Sequence, residues 1–394
     1  MRIVFVATSS LLDPSPRGRW LPLGRELARL GHEVHLLMLH PVYATTPRGV
    51  FLRGGVHCRY VAQMHVRGYP GARRYYSGPA LLAVAARGAL ALAAAAAALR
   101  PDALHIAKAQ PINGLAGLLA ARAVGALYLD ADDYEAGANR FGAGWQARGV
   151  QFWEDRLPGL MRAVSVNTTF LADRFVKSAP QTPVVLIPNG ADPPARVLSS
   201  AERSSLRAAL GLGAAPTAVY LGTLSTIAHA TPLLLDAFAE VLAQVPTARL
   251  LLVGDGDDAA LLRGRAAALG IADALTFTGR VAPQLGHALL QCAEVSVEPV
   301  EDTPAARARS PLKLVESMAC GVPVVSGDVG DRAATLGPDA GISVLPGDAS
   351  ALAAGISALL GDPLRQQRGA AAAAERAQEY RWDRLAARWL ALYC

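Results

Sequence analysis

Short apolar runs alternate along the whole chain with longer segments whose apolar positions recur at helical spacing. The strand patterns of the first half are RIVFVAT, HEVHLLML, VHCRYVA, ALHIA, ALYLDA, AVSVN and VVLIPN. Those of the second half are TAVYLG, RLLLVG, LTFTG, EVSVEPV, VPVVSG and GISVLP. Between them lie helical segments such as WLPLGRELARLG, whose final glycine is a favourable helix end. This alternation predicts an α/β protein built from βαβ units with parallel sheets.

The strand patterns are interrupted once, at residues 189–218, where Pro, Ser and Ala replace strand residues. A chain of 394 residues is long for a single hydrophobic core. We therefore predict two Rossmann-like, doubly wound domains, 1–191 and 192–376, that face each other across a cleft. Each has its ligand edge at the carboxyl ends of its strands. Residues 377–394 are expected to form a C-terminal helix that packs back on the first domain.

Composition indicates a globular protein of a reducing compartment. The four cysteines lie far apart and form neither a CxxC pair nor a Cys/His ligand spacing, so neither a zinc site nor a disulfide framework is expected. The chain starts with a strand pattern and lacks the apolar region of a signal peptide. We expect a cytoplasmic protein.

Charge is unevenly distributed. Residues 1–190 contain 21 basic and 11 acidic residues, whereas residues 191–394 contain 17 and 21. A basic first half could face anionic lipid headgroups, nucleic acid or a phosphorylated acceptor, or could serve solubility alone. Basic and aromatic residues are interleaved in two of its loops, at Trp20, Arg67, Arg73, Arg74, Tyr75 and Tyr76. This pairing favours a peripheral membrane contact at the inner membrane face, or a lipid-linked acceptor, over nucleic acid.

One segment, residues 78–100, is long and apolar enough to be mistaken for a membrane span. Its alanines contribute little transfer free energy, and Arg87 lies near its middle. We expect a buried amphipathic helix.

The run SPLKLVESMACGVPVVS, residues 310–326, contains a predicted helix start with unusual charge. Ser310 is a favourable cap and Pro311 a favourable first helical residue. The unpaired backbone N–H groups from Ser310 through Leu312 and Lys313 make an anion site. A cation in the first turn opposes the helix dipole, so Lys313 indicates a bound diphosphate.

Glu316 follows one turn later, beside the apolar Leu314 and Val315. A buried carboxylate costs several kcal/mol, by rough estimate, unless hydrogen-bond donors satisfy it. Paired ribose hydroxyls are suitable donors. The alternative is a structural ion pair with Arg307 or Arg309.

The run SPLKLVESMACGVPVVS resembles a motif of the retaining glycosyltransferases of family 4, which have the GT-B fold. Five further runs resemble motifs of the same family: VVLIPNGAD, LLLDAFAEV, LLLVGDGDD, LTFTGRV and VLPGDASALAAGI. The resemblance covers the chain in order and is strongest at residues 186–362. It implies transfer of a sugar from a nucleotide-diphosphate donor to a glycan or lipid-linked acceptor, without a metal or other cofactor. Glu316 matches the glutamate that binds the donor ribose in the family.

Two departures from the family pattern concern the donor. The family's other glutamate, near the donor-sugar hydroxyls, falls on Ala308, and Glu298, Glu301 or Asp302 could replace it. The first loop of the second domain has Gly222 and Thr223 where relatives present an arginine, and no lysine follows. Positive charge must stabilise the leaving diphosphate, so other cations have to substitute. The candidates are Lys313, Arg307, Arg309 and, in the first domain, Lys108.

No catalytic histidine is assigned. The catalytic position of histidine-bearing relatives falls on Ala107, and His105 is expected to be a buried structural residue.

The segment LYLDADDYEAG, residues 127–137, places acids at the carboxyl end of a strand. Asp132 and Asp133 could orient or deprotonate an acceptor hydroxyl, with Glu135 on the acceptor side. The cluster could instead bind a divalent cation or cap the following helix. Since the flanking sequence is of the GT-B type, we favour capping by one acid and acceptor contact by another.

Three further loops complete the predicted site. Arg280 and Val281, in TGRV, are expected in the base pocket, as the resemblance implies. Gly18 and Arg19, in SSLLDPSPRGRW, are expected to approach the acceptor or the donor phosphate. The GxGxxA spacing in VGDGDDAALL does not indicate NAD, because acids stand where a pyrophosphate would approach.

We therefore predict a retaining glycosyltransferase that uses a nucleotide sugar. A sugar-nucleotide epimerase or phosphorylase on the same fold is one alternative, and a non-catalytic sugar-nucleotide-binding partner subunit is another.

Overall fold

The computed structural model describes residues 1–69, 73–139, 141–226 and 229–393. The chain divides into two compact units. The N-terminal unit comprises Met1–Asn189, Ala308–Ser310 and Trp382–Cys394, and the C-terminal unit comprises Gly190–Arg307 and Pro311–Arg381. The domain limits 1–191, 192–376 and 377–394 remain predictions.

The N-terminal unit contains an eight-stranded sheet in the order β10-β9-β8-β7-β1-β2-β4-β3. All neighbouring strands are parallel except β3, which is antiparallel to β4. Two further strands, β5 and β6, form a separate antiparallel pair. The strands are β1 (Arg2–Ala7), β2 (Glu33–His40), β3 (Phe51–Arg53), β4 (Val56–Gln63), β5 (Val66–Arg67), β6 (Arg74–Tyr75), β7 (Ala103–Ala107), β8 (Ala126–Ala131), β9 (Ala163–Val166) and β10 (Val184–Leu186).

Helices cover both faces of this sheet, because alternate side chains of each strand point to opposite faces. Val4 and Val6 of β1 face the helices α2, α3 and α6, whereas Ile3 and Phe5 face α1 and the C-terminal helix α16. The helices are α1 (Leu21–Arg29), α2 (Gly78–Leu99), α3 (Pro111–Ala120), α4 (Glu135–Ala138), α5 (Gly144–Arg156), α6 (Thr169–Ser178) and α16 (Trp382–Trp389). A π-helical turn, Pro16–Trp20, leads directly into α1.

The C-terminal unit contains a six-stranded, fully parallel sheet in the order β13-β12-β11-β14-β15-β16. The strands are β11 (Thr217–Leu221), β12 (Arg249–Val253), β13 (Leu275–Gly279), β14 (Val295–Glu298), β15 (Val324–Gly327) and β16 (Gly341–Val344). The helices are α7 (Ser200–Ala209), α8 (Thr231–Gln244), α9 (Ala259–Ala268), α10 (Pro283–Leu290), α11 (Pro304–Arg307), α12 (Leu312–Ala319), α13 (Arg332–Leu336), α14 (Ala349–Leu360) and α15 (Pro363–Ala377).

Both sheets have the doubly wound strand order that the alternating pattern predicts, and all thirteen predicted strands are present. The pattern did not reveal β3, β5 and β6, which have only two or three residues each and too few positions to show a period. In the N-terminal unit the strand order reverses beside β1, and in the C-terminal unit beside β11. Ligands of doubly wound sheets bind at the carboxyl ends of the strands around this reversal.

The sequence predicts a buried amphipathic helix at residues 78–100, but α2 is buried on one face only and its other face is apolar. It is the single helix, within the ranges that the structure describes, whose length and composition would suffice to cross a membrane. Its inner positions, which include Gly88, Ala89 and Leu92, are buried. Its outer face is exposed and apolar, because alanine and leucine occupy positions where an amphipathic helix has polar residues.

Candidate functional site

Lys108 marks the carboxyl edge of the N-terminal sheet, directly after β7. Its backbone has φ 74°, a left-handed conformation that costs a non-glycine residue on the order of 1 kcal/mol. The backbone N–H of Lys108 donates a hydrogen bond to the carbonyl oxygen of Asp130, at 2.8 Å. The turn therefore ties the end of β7 to the neighbouring β8.

The ammonium of Lys108 lies among three carboxylates. Its Nζ is 2.7 Å from Glu135 Oε1, 3.1 Å from Asp132 Oδ1 and 4.0 Å from Asp133 Oδ2. Burial would lower the pKa of Lys108, but Asp132 and Glu135 outweigh that effect and hold the pKa well above its ordinary value. The lysine is therefore a fixed positive charge. Lys108, Asp132, Asp133 and Glu135 are named here the Lys108 cluster.

Asp133 differs electrostatically from its neighbours in the Lys108 cluster. Burial raises the pKa of its carboxyl to about 6, against the opposing influence of Lys108. Arg309 also lies near it, with Nε 3.8 Å from Asp133 Oδ1. A carboxylate with a pKa near neutrality is a suitable acceptor of a substrate proton.

Glu135 is positioned by a buried carboxylate that the sequence analysis missed. Glu154, in α5, accepts hydrogen bonds from the backbone N–H groups of Glu135 (2.7 Å) and Ala136 (3.0 Å) at the start of α4. Burial raises the pKa of Glu154 to about 7. An acid beside two aromatic residues, in the run FWED, was the available signal.

Gln110 connects the Lys108 cluster to the end of β1 and was also missed. Its Oε1 accepts a hydrogen bond from Thr8 Oγ1, at 2.7 Å, and its Nε2 donates to Glu135 Oε2, at 2.5 Å. The cluster is thus anchored at the reversal of strand order between β1 and β7.

Arg19 is placed differently from its expected position on the acceptor side. Its side chain is 1% exposed, and its Nε and Nη2 donate to the two oxygens of Asp130, at 2.8 and 2.7 Å. Trp20, expected in a surface loop, is buried and donates through Nε1 to the same carboxylate, at 2.7 Å. Since Asp130 and Arg19 neutralise each other in the interior, neither is available to an acceptor. Gly18 lies half-buried in the preceding helical turn.

His105 is buried, as expected. Its ring stacks between Phe5 and Tyr128, and its Nε2 lies 2.8 Å from the hydroxyl oxygen of Tyr393. Burial lowers the pKa of His105 to about 3. The imidazole is therefore neutral at physiological pH and has a structural role.

In the C-terminal unit, Lys313 lies between the carboxyl ends of β11 and β14. Its Nζ is 2.8 Å from Glu298 Oε2 and lies 4.5 Å from the centre of the Tyr220 ring. A Cβ atom added to Gly222 would lie 3.6 Å from the same Nζ. The ammonium thus lies beside the first loop of this unit, where the sequence lacks the family's arginine.

Glu298 is shared by two cations. Arg332 Nη2 lies 3.8 Å from Glu298 Oε1, and the side chains of Lys313, Glu298 and Arg332 are only 13%, 5% and 3% exposed. Burial would lower the pKa of Lys313, but the charge of Glu298 outweighs it and raises that pKa. Lys313, Glu298 and Arg332, named here the Lys313 cluster, carry one positive charge in excess. Glu298 is therefore bound within the protein and not free to contact a donor sugar.

Helix α12 begins differently from the prediction. Its first residue is Leu312, and Pro311 occupies the cap position without a side-chain hydrogen bond. Ser310 is not the cap, because its Oγ accepts from the backbone N–H of Asn189, at 3.1 Å, and its carbonyl oxygen accepts from Asn189 Nδ2, at 2.7 Å. Among the residues that the structure describes, no side-chain oxygen caps the start of α12.

Glu316 lies on α12 one turn after Lys313 and is half-buried beside the buried Val315 and Ser317. Burial, and then the nearby charge of Glu316, raise the pKa of Cys320 to about 12. Arg307, one alternative partner considered for Glu316, forms a bidentate ion pair with Asp302, with both distances 2.6 Å.

The remaining predicted donor residues lie at the surface or near it. Thr223 is exposed, and its carbonyl oxygen accepts from the Tyr220 hydroxyl, at 2.8 Å. Arg280 and Glu301 are exposed, and Val281 is half-buried.

The glycines of the GxGxxA spacing serve backbone packing. A Cβ atom on Gly254 would overlap the carbonyl oxygen of Gly222, and one on Gly256 would overlap that of Leu224. The two turns can approach only because these side chains are absent. Asp258, in the same run, accepts from the backbone N–H of Thr226, at 2.7 Å.

Within the described ranges, no group of three His, Cys, Asp or Glu side chains is arranged to hold a metal ion. The acids that follow β8 surround the ammonium of Lys108.

Family models cover most of both units. Residues 20–194 match the model of Glycosyltransferase Family 4, and residues 215–362 match that of Glycosyl transferases group 1. The chain belongs to the group 1 glycosyltransferases. The resemblance found in its motifs is confirmed.

A curated relative of this glycosyltransferase chain is the phosphatidyl-myo-inositol mannosyltransferase of Mycobacterium leprae. The two are 30% identical over 242 residues, which are 61% of this chain and 60% of the relative. The match therefore spans less than two thirds of that relative's length.

Solved structures support the fold of the glycosyltransferase. The sucrose-phosphate synthase of Thermosynechococcus elongatus has a TM-score of 0.78 and 21% identity, over 100% of this chain and 98% of its own. HepE of Anabaena, solved in complex with UDP and glucose, has a TM-score of 0.72 and 18% identity, over 99% of this chain and 98% of its own. The predicted GT-B fold is confirmed.

The structure brings the predicted residues into two groups. In the N-terminal unit, Lys108, Asp132, Asp133, Glu135 and Arg309 lie together. In the C-terminal unit, Lys313 adjoins Gly222, with Glu316 one turn further along α12. Their roles in binding and catalysis remain predictions.

Proposed function

We propose that the chain is a retaining glycosyltransferase that moves a sugar from a nucleotide-diphosphate donor to a lipid-linked or saccharide acceptor. The observation that carries this proposal is the largely buried ammonium of Lys313, fixed beside Gly222 at the strand-order reversal of the C-terminal sheet. The name of the mycobacterial relative describes transfer to phosphatidylinositol, which supports a lipid-linked acceptor. HepE was solved with UDP and glucose, which supports a nucleotide-sugar donor.

Lys313 is proposed as the cation that stabilises the leaving diphosphate. It lies next to the loop in which Thr223 replaces the family's arginine, and the positive excess of the Lys313 cluster favours an anion there. The backbone N–H groups of Leu312 and Lys313 at the start of α12, directly after Pro311, add donors for phosphate oxygens. Buried charges act strongly on one another because little water screens them.

Glu316 is proposed to accept hydrogen bonds from the ribose hydroxyls, as its match to the family motif implies. It shares α12 with Lys313, so one helix presents the diphosphate and ribose contacts at a fixed separation of one turn. Arg280 and Val281 are proposed for the base, and Glu301 for the donor sugar. Arg307 and Arg309 are proposed as auxiliary cations.

The Lys108 cluster is proposed to receive the acceptor. With Arg309 it contains two cations and three carboxylates, and this negative excess favours groups that donate hydrogen bonds, such as sugar hydroxyls. Asp133 accepts the hydroxyl proton while the acceptor oxygen bonds to the anomeric carbon and the carbon–oxygen bond to the diphosphate breaks. Asp132 and Glu135 hold Lys108, which keeps Asp133 ionised at neutral pH. Gly18 remains proposed for the acceptor side, whereas Arg19 is not.

Removing the carboxylate of Glu316 tests the donor site. Thermal shift with UDP, GDP, ADP and CMP first identifies the nucleotide, since a ligand of the folded state raises the melting temperature. Glu316→Ala should then raise the donor KM at least about tenfold, the effect of losing one or two hydrogen bonds to a charged group. The exposed Glu375→Ala in α15 is the matched control.

Donor kinetics that are the same in Glu316→Ala and Glu375→Ala would refute the ribose assignment. The anomeric configuration of the product, read by NMR coupling constants, tests the retaining mechanism separately. We expect the cytoplasm as the site of the reaction, with a lipid-linked acceptor at the inner membrane face.

A further inference from the structure

The outer face of α2 is a continuous apolar stripe. Leu82, Ala86, Leu90, Ala94 and Ala98 recur at a spacing of four residues, and all five are exposed. The two leucines are each 58% exposed. The outer face of a surface helix normally carries polar residues, so an apolar stripe of this length indicates a partner.

Two neighbouring helices continue the apolar surface. Leu115 and Leu119 of α3 are exposed one turn apart, and α3 packs on the same core as α2. In α5, Trp145 and Phe152 are about half exposed and lie two turns apart. The exposed side chains of these three helices, Leu82, Leu90, Leu115, Leu119, Trp145 and Phe152, are named here the outer helix face.

The charge around α2 and α3 is almost entirely positive, whereas α5 carries two arginines, Arg148 and Arg156, and two acids, Glu154 and Asp155. From Met64 to Leu129, Asp102 is the single acid against six arginines and Lys108. Arg87 and Arg122 are exposed on or beside α2 and α3. Basic residues that flank an apolar surface are attracted to anionic lipid headgroups.

The hairpin that precedes α2 has the composition of a membrane interface. Arg67 of β5 lies over the ring of Tyr76, with the guanidinium carbon 4.7 Å from its centre. Tyr75 of β6 is among the most exposed aromatic side chains of the described residues. Tyrosine and arginine suit the headgroup region, because each combines an apolar body with a polar end.

The inner face of α2 argues against a membrane-spanning role. A Cβ atom on Gly88 would lie 3.0 Å from Leu39 Cδ1 of β2, so the helix backbone is packed tightly on the sheet. Ala89 and Leu92 are buried in the same core. A spanning helix would leave this core open to water, whereas a helix that lies on the membrane would bury only its outer stripe.

A second copy of the chain fits the outer helix face less well than a bilayer does. In a two-fold dimer the same surface meets itself, which would bring the basic surroundings of one copy against those of the other. An anionic bilayer has the opposite charge and an apolar interior. The charge distribution therefore favours lipid.

We propose that the outer helix face docks the N-terminal unit on an anionic lipid bilayer. The helices lie in the plane of the interface, with the leucines, Trp145 and Phe152 inserted among the acyl chains and the arginines at the phosphates. This inference goes beyond the proposed transfer reaction, because it concerns the partner of a surface that contains none of the proposed donor or acceptor residues.

Flotation of the full chain with lipid vesicles tests the proposal. The chain should bind vesicles of phosphatidylcholine with about 30 mol % phosphatidylglycerol, and bind pure phosphatidylcholine more weakly. Raising the salt concentration should reduce binding by screening the arginines. Absence of binding to the anionic vesicles would overturn the proposal.

A pair of double variants locates the contact. Leu90→Glu with Leu119→Glu should lower partitioning into anionic vesicles at least about tenfold, because each leucine no longer buries its side chain. Leu261→Glu with Leu364→Glu is the matched control in the C-terminal unit, where these leucines are 58% and 71% exposed. The control should bind like the unmodified chain, and both double variants should keep its melting temperature. Equal binding of the two double variants would overturn the assignment of this surface.

Two further measurements separate lipid from protein partners. Anionic vesicles should shift the tryptophan emission to shorter wavelength, and Trp145→Phe should remove most of that shift. Sedimentation without lipid should show the same oligomeric state for the unmodified chain and for Leu90→Glu with Leu119→Glu. Loss of a dimer in that variant would assign the face to a second copy and refute the membrane proposal. Vesicle binding is measured without a donor, so its outcome is independent of the Glu316→Ala result.

Discussion

Each unit holds one largely buried lysine near the reversal of its strand order, but the clusters around the two lysines have opposite net charge. Lys108 lies within 4.0 Å of three carboxylates. Lys313 contacts one carboxylate, which it shares with Arg332, and lies over an aromatic ring. Both lysines lie where the strand order of a doubly wound sheet reverses. Since the backbone topology is the same, the difference lies in the side chains that the neighbouring strands and helices contribute.

This difference shows how one fold can provide two kinds of binding site. An excess of carboxylates favours hydroxyl groups, which donate hydrogen bonds, whereas an excess of cations favours phosphate, which accepts them. Both clusters have lysine, and not arginine, as the central cation. The chain has only three lysines, Lys108, Lys177 and Lys313, and uses arginine elsewhere. An ammonium is more compact than a guanidinium and fits between closely spaced groups.

The largest effect is expected from removing the cation of the Lys108 cluster. Lys108→Met leaves three carboxylates without their shared partner, and we expect the free energy of unfolding at pH 7 to fall by about 5 kcal/mol, the upper end for a broken buried pair. The loss should be smaller at pH 5, because Asp133, whose pKa is about 6, can then bind a proton. Urea denaturation at both pH values measures it.

Lys177→Met is the control for this substitution, since Lys177 is exposed and should change stability little. An equal loss at pH 5 and pH 7 would contradict the view that carboxylate repulsion is the cause.

A smaller effect on stability is expected from the Lys313 cluster. Lys313→Met leaves Glu298 with Arg332 nearby, so we expect a loss of about 3 kcal/mol. The affinity for the nucleoside diphosphate should fall at least about tenfold, while affinity for the nucleoside alone stays the same. Isothermal titration with the nucleotide found by thermal shift compares the two. Unchanged diphosphate affinity would remove Lys313 from the donor site and end the proposed contrast between the clusters.

The smallest effect is a pH dependence specific to the N-terminal unit. Burial raises the pKa of Glu154 from its ordinary 4.5 to about 7. A carboxyl whose pKa is raised by folding stabilises the fold fully below its unfolded pKa, and this contribution is lost as pH rises through the folded pKa. Between pH 5 and pH 8 the free energy of unfolding should therefore fall by about 2 kcal/mol from this group.

Glu154→Gln should remove most of that slope, and Glu294→Gln in the C-terminal unit should leave it in place. Thermal melts across this pH range measure both variants. A slope that persists in Glu154→Gln would show that another group titrates.

Much of the candidate site could be predicted because it lies at the ends of recognisable strands. The acids after β8 were predicted at the carboxyl end of a strand, and the structure places each of them within 4.0 Å of Lys108 Nζ, at the end of the neighbouring β7. Lys108 itself was predicted as a cation for the leaving diphosphate, and in the structure the three carboxylates surround it instead. Glu154 and Gln110 were missed because each acts through a neighbour distant in sequence, and no local period marks such a contact.

The errors have the same origin. The position of Arg19 in its loop suggests an approach to the acceptor or the donor phosphate, yet Arg19 pairs with Asp130, which is 111 residues away. The position of Ser310 before Pro311 predicts a helix cap, yet its hydroxyl accepts a hydrogen bond from the backbone N–H of Asn189, 121 residues away. In both cases a long-range hydrogen bond replaced the local one that the sequence suggested.

By itself the sequence determined the alternation of strands and helices, the family, and which residues stand at strand ends, because hydrophobic period and turn residues act over short distances. Only the tertiary structure decided which of those charged residues meet. Tyr220 and Lys313 are 93 residues apart and become neighbours only when β11 and β14 pair in the sheet. The charge of each site depends on that pairing, since burial and the nearest partners, not residue type alone, set the electrostatic energy of an ionisable side chain.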